Sequence, residues 1–337
     1  MWDFSFGRAL SMVLQTLPFV VLRIIVYVGI ALAYVLTVGV GGALGWGFGH
    51  MGSGPDAPTG GAFWGGAIGF GLISGALYLA REYVLYLIKA AHIAVLVQVY
   101  DRQPIPGGQG QISYGANFVK THFTESSVLF GVDQLIKGVL RSLFGSINFF
   151  TSFLPIPALQ QLVRIAEAFI RMSLTYVDEI ILAYLIRTQT KNPWGTARDG
   201  LVLFAQNYMH FLKNAAWLSV LMWGFTFLLF IVLLAPIGAL VAIFHTGFTF
   251  WGFVLALVFA IAVKKAIMEP IAIAALMQVY FKEIEGQVPN PEWTARLEQV
   301  SSKFRDLAQK AAGWVPGPIN PAAPPPPPAA TPPAAPA

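Results

Sequence analysis

The sequence predicts an all-α fold, a polytopic transmembrane helical bundle of about six spans in three hairpins, with cytoplasmic amphipathic helices. Three observations predict it. Of the 337 residues, 56% are hydrophobic and 11% are charged, whereas soluble domains average about 25% charged residues. Several apolar runs reach the roughly 20 residues that cross a bilayer as a helix. Basic residues are concentrated in alternate connections between those runs.

Composition also excludes several classes of function. Cysteine is absent, which excludes disulfides, thiolate nucleophiles and cysteine metal sites. The chain contains neither an HExxH nor a GxSxG motif, and its five histidines are scattered. The sequence therefore predicts a protein that is not an enzyme, has no cofactor or bound metal, and does not bind nucleic acid.

Six apolar segments are the predicted spans. They cover residues 17–40, 63–100, 126–150, 158–189 and 215–235, and from about 250 through 283. No basic start and cleavage site precede the first segment, so we expect the apolar run from the N-terminus to residue 43 to be an uncleaved span. The second segment is too long for one straight crossing, and its second half is expected to leave the bilayer. Pro236 and Gly238 are expected to close the fifth.

Basic residues orient the chain. In the six-span arrangement the loops on one side of the bilayer contain no lysine or arginine, and the other side carries the following: Arg102, Lys120, Arg187, Lys191, Arg198, Lys213, Lys282, Arg296, Lys303, Arg305 and Lys310. By the positive-inside rule, this asymmetry predicts a multi-pass protein of the cell (inner) membrane with both termini in the cytoplasm.

Two segments outside the spans predict amphipathic helices. Asn192 is a good N-cap, Pro193 suits the first helical position, and an apolar stripe follows: Trp194, Ala197, Leu201, Phe204, Tyr208 and Phe211. Residues 290–313 repeat this start and predict a second helix, ended by Gly313. The domains expected are thus a transmembrane part (1–289), this amphipathic helix (290–313) and a disordered Pro/Ala-rich tail (314–337).

Two pairs of segments resemble each other. Residues 93–100 (IAVLVQVY) match 273–280 (IAALMQVY), and the NP–TAR pattern at 192–198 recurs at 290–296. These matches predict three helical hairpins, each with an outgoing span, a turn without basic residues and a longer return span. Such repeats are common in transporters, and the same duplication also occurs in membrane scaffolds.

Charged residues lie inside the third and fourth predicted spans. Arg164, Glu167, Arg171 and Asp178 share one face of the fourth, and Glu179 follows them. The third carries Asp133, Lys137 and Arg141 at i, i+4 and i+8, again on one face. If the two spans form an antiparallel hairpin that turns near residue 153, Arg141 lies beside Glu167 and Asp133 beside Arg171.

Three interpretations of these charges stay open. They form an ion-paired seam that fixes the register of the hairpin, or they line a hydrated pathway. In the third interpretation, the third segment lies at the membrane interface as an amphipathic helix. The candidate pathway residues are Asp133, Lys137, Arg141, Arg164, Glu167, Arg171, Asp178, Glu179 and Glu269.

The sixth span carries Lys265 and Glu269 as an i, i+4 pair directly before Pro270. The proline leaves a backbone carbonyl without its helical donor, which indicates a hinge or a binding point. The alternative is a simple kink near the end of the span, with lysine side chains that extend to the interface. Lys89 and His92 lie at the equivalent depth of the second span, where a single histidine is most often a hydrogen-bonded core group.

Aromatic residues offer a further candidate site. Trp217, Trp223, Tyr176, Tyr184 and Tyr208 form either a pocket for a cation or parts of the interfacial aromatic belt. The glycine-rich stretches near residues 41–50 and 60–71 provide either close helix contacts or a flexible outer loop.

The second half of the chain resembles the carboxyl-terminal half of choline transporter-like membrane proteins. The resemblance covers roughly residues 126–306 and rests on the order of FGVDQLIKGVLRSL, DEIILAYLIRTQ, FAQNYMHFLKNAAWL and ALMQVYFKEIEG. It implies solute transport and assigns no functional residue. The chain differs from that family in lacking a large, cysteine-rich outer domain and in having fewer spans.

The sequence thus predicts a transporter or channel-like protein for a small polar or cationic solute. The alternative is a non-catalytic membrane scaffold or assembly protein whose amphipathic helices and Pro-rich tail bind partners. The expected partners are the lipid bilayer and such a solute, with a homo-oligomer or a partner protein left open. The two functions differ in whether the charged residues contact a water-filled cavity or are closed by their own ion pairs.

Overall fold

The computed structural model describes residues 2–52, 54–105, 108, 110–122, 126–145, 176–189, 191–242 and 249–315, and within these ranges it is helical without a β-strand. The helices are α1 (Phe6–Gln15), α2 (Leu17–Gly49), α3 (Ala57–Tyr100), α4 (Gln111–His122), α5 (Ser126–Gly145), α6 (Val177–Thr188), α7 (Pro193–Gln206), α8 (Tyr208–Ala242), α9 (Thr249–Val263), a π-helical turn (Lys264–Met268), α10 (Glu269–Glu283), α11 (Pro291–Val300) and α12 (Ser302–Ala312). The predicted all-α class is confirmed.

Three helical segments in the described ranges are long and apolar enough to cross a membrane. They are Leu17–Gly49, Tyr83–Tyr100 and Tyr208–Ala239, which is compatible with a membrane location. The count of six spans and the orientation of the termini stay predictions. Helix α5 is not among the three segments, and it packs against α12 and α7, two helices outside those segments. The three interpretations of the charges on α5 stay open.

Helix α3 is longer than a bilayer is thick. Its 44 residues extend about 66 Å at 1.5 Å per residue, roughly twice the hydrocarbon thickness. Apolar residues near its start, such as Phe63 and Trp64, are exposed, whereas residues 93–96 are fully enclosed by other helices. One continuous helix therefore passes from an exposed apolar region into the protein core.

Glycines hold α2 and α3 in close contact. Gly45 faces Gly61 and Gly41 faces Gly65, and a Cβ built on Gly45 would lie 2.0 Å from the carbonyl oxygen of Gly61. Only glycine permits backbones to approach this closely. The structure thus selects close helix contacts over a flexible loop as the role of these glycines.

Replacing Gly45 by alanine is expected to lower the free energy of unfolding by about 1–3 kcal/mol, because the new methyl group must push the two helices apart. Gly47 lies two residues away and has no atom within 4 Å of an added Cβ. Gly47→Ala is the matched control and should be neutral or stabilising by up to about 1 kcal/mol. Denaturant titration of the purified protein in detergent measures both, and equal effects at the two positions would contradict the close contact.

Three helix ends differ from those that the sequence predicts. Helix α1 ends at Gln15, and α2 begins at Leu17, the predicted start of the first span, with Pro18 in its first turn, where proline is favoured, but α2 extends beyond residue 40 to Gly49. Helix α8 does not end at residue 235 but continues through Pro236. The predicted helix over 290–313 is two helices, since the hydroxyl of Ser301 accepts a hydrogen bond from the Phe304 amide and starts α12.

The predicted N-caps and apolar stripes are confirmed. Asn192 accepts a hydrogen bond from the Gly195 amide, and Asn290 from the Glu292 amide. The stripe over α7 and the start of α8 is interrupted at Asn207, yet most of its members are buried: Trp194, Ala197, Leu201, Phe204 and Phe211. Residues 290–313 carry a second apolar stripe at steps of three and four, and its buried members in α11 and α12 are Leu297, Phe304, Leu307 and Ala311. Residues 316–337 of the predicted tail lie outside the described residues.

Helices α3, α6 and α10, which we call the return helices, carry most of the fully buried side chains. The two similar segments at 93–100 and 273–280 lie in α3 and α10, where residues 93–96 and 273–277 are fully buried. Helix α6 packs against both helices, and α1 packs against α10. Equivalent core positions thus carry the similar sequences, while the arrangement in three hairpins stays a prediction.

Candidate functional site

Four helices bring charged side chains into one cluster, in which all members are buried except Lys89, whose side chain is partly exposed. We call Arg23 of α2, Lys89 of α3, Glu179 of α6 and Glu269 of α10 the ion-pair cluster. The Lys89 ammonium group donates hydrogen bonds to Glu179 Oε1 at 2.8 Å and to Glu269 Oε1 at 2.7 Å. The Arg23 guanidinium group donates to the other oxygen of Glu269. Lys89 therefore bridges two carboxylates, and Arg23 extends the network to the first long helix.

The π-helical turn before α10 explains how Arg23 is held. A π-helix forms its hydrogen bonds between residues five apart, and the Glu269 amide accordingly donates to the carbonyl oxygen of Lys264. The carbonyl oxygen of Lys265 would accept from residue 270 in this register, but Pro270 has no N–H. Arg23 Nη2 donates to that oxygen at 3.3 Å. The backbone acceptor freed by the proline is thus used by the cluster.

The predicted i, i+4 partner of Glu269 is wrong. Glu269 is held by Lys89 and Arg23, with the Tyr27 hydroxyl 3.4 Å from Oε2, whereas the sequence predicts Lys265. The prediction assumes an α-helix, in which residues four apart share a face. The π-helical turn changes that relation and directs Glu269 to the other helices.

A second group of charges lies on α5 and α6. Lys137 Nζ is 2.8 Å from Asp133 Oδ2 and 3.6 Å from Asp178 Oδ2, and both carboxylates are buried. Asp178 directly precedes Glu179 of the ion-pair cluster. Arg141, one helical turn beyond Lys137, is exposed.

The six candidate pathway residues that the structure describes divide into three sets. Asp133, Lys137 and Asp178 lie together, Glu179 and Glu269 share Lys89, and Arg141 lies apart. Arg164, Glu167 and Arg171 lie outside the described residues. The predicted pairs of Arg141 with Glu167 and of Asp133 with Arg171 stay predictions for that reason, although Asp133 already has a partner in Lys137.

Sequence reasoning missed Arg23 and the bridging role of Lys89. Arg23 is the single charged residue of α2 and is 1% exposed, and an ionisable residue inside an apolar span usually has a specific partner. Lys89, Glu179 and Glu269 are separated by 90 residues each. Lys89 and Glu269 also occupy the same place relative to the two similar segments. These two signals could have indicated both residues.

Some polar atoms of the cluster have no hydrogen-bond partner in the described part of the chain. They are Nε and Nη1 of Arg23 and Oε2 of Glu179, and all three are buried. A buried polar atom without a partner costs about 1–3 kcal/mol, and native proteins usually satisfy such atoms with water, an ion or a ligand. The cluster therefore has donors and an acceptor available for a small polar molecule.

The remaining candidates have structural contacts. His92 Nε2 lies 2.9 Å from Thr16 Oγ1 and the ring stacks on Phe19, which confirms the predicted core histidine. Each of the five aromatic residues has a different neighbour: Trp217 with Trp2, Trp223 with Lys264, Tyr176 with Met222, Tyr184 with Tyr280, and Tyr208 with Trp293. The pocket interpretation stays a prediction.

An apolar groove runs along the outside of the α2–α3 hairpin. Its lining includes Leu44, Phe48 and Trp64 and contains no charged residue. The groove contains none of the cluster residues, so it is a separate feature of the exposed apolar surface.

No family model, curated protein or solved structure matches the chain. The resemblance to choline transporter-like membrane proteins therefore stays a prediction from the sequence. The candidate site has to be interpreted from its own geometry.

Proposed function

We propose that the protein is a membrane transporter or channel-like protein for a small polar or cationic solute, which passes at the ion-pair cluster. One observation carries the proposal: charged groups from three return helices and α2, all buried except Lys89, meet at one place and leave polar atoms of Arg23 and Glu179 available. In an apolar bundle, such groups are expensive to bury and usually serve the passage of a solute.

The charge of this region favours a cation. The ion-pair cluster has two cationic and two anionic side chains, and the neighbouring group adds Lys137, Asp133 and Asp178. With all seven side chains ionised, the two groups together have a formal charge of −1. Glu179 Oε2 has no hydrogen-bond partner among the described residues and is a suitable acceptor for an ammonium group.

Uptake of labelled choline, small amines and amino acids into proteoliposomes tests this function. Glu179→Gln is expected to lower the initial uptake rate about tenfold or more, because losing a charge-assisted hydrogen bond weakens solute binding by about 1.5 kcal/mol or more. Glu292→Gln, at an exposed position of α11, is the matched control and should transport like the parent. Uptake by folded Glu179→Gln equal to that of the control would contradict the proposal.

The second candidate is the membrane scaffold. A specific observation favours it: Lys89 and Arg23 pair with the carboxylates around them, so most of the charge is closed within the protein. In this function the amphipathic helices, of which α12 packs on α5 and α7, and the Pro-rich tail would bind a partner protein. This function predicts no uptake of any solute by the parent, and loss of folded protein as the main effect of Glu179→Gln.

A further inference from the structure

Helix α1 presents three different surfaces around its axis. One is buried and packs against α10, and it consists of Ala9, Met12 and Val13. A second is exposed and apolar, with side chains four residues apart: Phe6, Leu10 and Leu14. The third is exposed and polar: Arg8, Ser11 and Gln15. A water-soluble surface helix normally has two faces, an apolar one towards the protein and a polar one towards solvent.

The segment before α1 is fixed to the rest of the protein. Lys213 Nζ lies 2.7 Å from Asp3 Oδ2, and this hydrogen bond lowers the pKa of Asp3 below its usual value. The Asp3 amide donates to Asn214 Oδ1, and the Ser5 amide donates to Gln278 Oε1. The orientation of α1 is thus set by contacts at its N-terminal end and along its buried surface.

The exposed apolar surface of α1 continues onto a candidate membrane span. Leu17, Val21 and Ile25, four residues apart at the start of α2, are exposed apolar residues as well. Helix α2 would face acyl chains at these positions. We therefore expect the exposed apolar surface of α1, formed by Phe6, Leu10 and Leu14, to be in the same environment.

We propose that α1 is an interfacial helix that lies in the leaflet at which α2 begins. Phe6, Leu10 and Leu14 contact the acyl chains of the phospholipids, while Ser11 and Gln15 face the headgroups and water, and Arg8 donates a hydrogen bond to the carbonyl oxygen of Tyr100. A membrane interface accounts for all three surfaces of α1, because a helix that lies there has protein on one side, acyl chains on another and water on the third. The inference is independent of what the protein transports or binds.

Site-specific fluorescence quenching tests this placement. The chain has no cysteine, so Leu10→Cys and Ser11→Cys each give a single labelling site in the otherwise unchanged full-length protein. Each variant is labelled with bimane and reconstituted in phosphatidylcholine vesicles. Quenching by iodide in water is then compared with quenching by a nitroxide on the lipid acyl chain.

The two neighbouring positions, about 100° apart on the helix, should behave oppositely. Bimane at Leu10 is expected to be quenched by the lipid nitroxide at least about twice as strongly as bimane at Ser11, and Ser11 to be quenched more strongly by iodide. Equal iodide quenching at both positions would overturn the proposal, because α1 would then lie in water. Protection of Leu10 from both quenchers would also overturn it, because a second copy or another protein would then cover the stripe.

Discussion

Replacing Lys89 by methionine is expected to lower the free energy of unfolding by about 3–5 kcal/mol, the range found when one partner of a buried ion pair is removed. The reason lies in the bridge that Lys89 makes to Glu179 and Glu269. Without it, Glu269 keeps Arg23, but Glu179 is a buried carboxylate with no cation within hydrogen-bond distance among the described residues. Denaturant titration in detergent gives the difference between variant and parent.

A double variant separates the charge effect from the loss of side-chain volume. Lys89→Met combined with Glu179→Gln removes one cation and one anion and leaves Arg23 with Glu269. It is expected to be at least about 1 kcal/mol more stable than Lys89→Met alone, because coupled residues have interaction energies of about 0.5–3 kcal/mol. If the effects of the two substitutions on the free energy of unfolding simply add, the ion pair between Lys89 and Glu179 does not contribute to stability.

An exposed lysine provides the matched control. Lys303 of α12 lies 3.3 Å from Asp306 at the surface, where an ion pair contributes about 0–1 kcal/mol. Lys303→Met should therefore remain within about 1 kcal/mol of the parent. A loss at Lys89 no larger than this one would mean that the buried bridge is unimportant for the fold.

The elements that sequence reasoning predicted well are those determined locally. Asn192 and Asn290 cap helices through amides two or three residues away, and this geometry is encoded in a short pattern. The buried stripe of α7 likewise depends on spacing within one helix. The break at Ser301 is also a local feature. A serine inside an amphipathic pattern does not by itself predict a helix cap, because the chain must also change direction at that residue. The reason for that change is the packing of α12 on α5 and α7.

The site could be predicted only in part. Glu179 and Glu269 are recognisable as charges within apolar runs, yet their partners cannot be derived from helix periodicity. Arg23 and Glu269 are 246 residues apart, and the π-helical turn that directs Glu269 away from Lys265 is a local departure from the α-helical period. A lone arginine near the start of an apolar run resembles a residue that snorkels to the interface. In the structure α2 packs against this turn. Arg23 is therefore a buried partner of Glu269 and does not reach the interface.

Replacing Glu269 by glutamine is expected to lower the free energy of unfolding by about 3–5 kcal/mol as well, because Arg23 is fully buried and loses its carboxylate partner. Lys89 keeps Glu179, so the two variants disturb different arms of the cluster. Denaturant titration in detergent again measures the loss, and Glu292→Gln at the exposed α11 position is the matched control.

The Arg23→Leu, Glu269→Gln double variant decides what Glu269→Gln has removed. Replacing a buried ion pair by groups of similar volume is often neutral, and the carbonyl oxygen of Lys265 loses its donor at a cost of about 1 kcal/mol. We therefore expect the double variant to lie within about 2 kcal/mol of the parent and above Glu269→Gln alone. A double variant as unstable as the single one would show that Glu269 acts mainly through Lys89. Recovery would show that the cluster consists of two neutral pairs, and that Lys89 joins them at the centre of the three return helices.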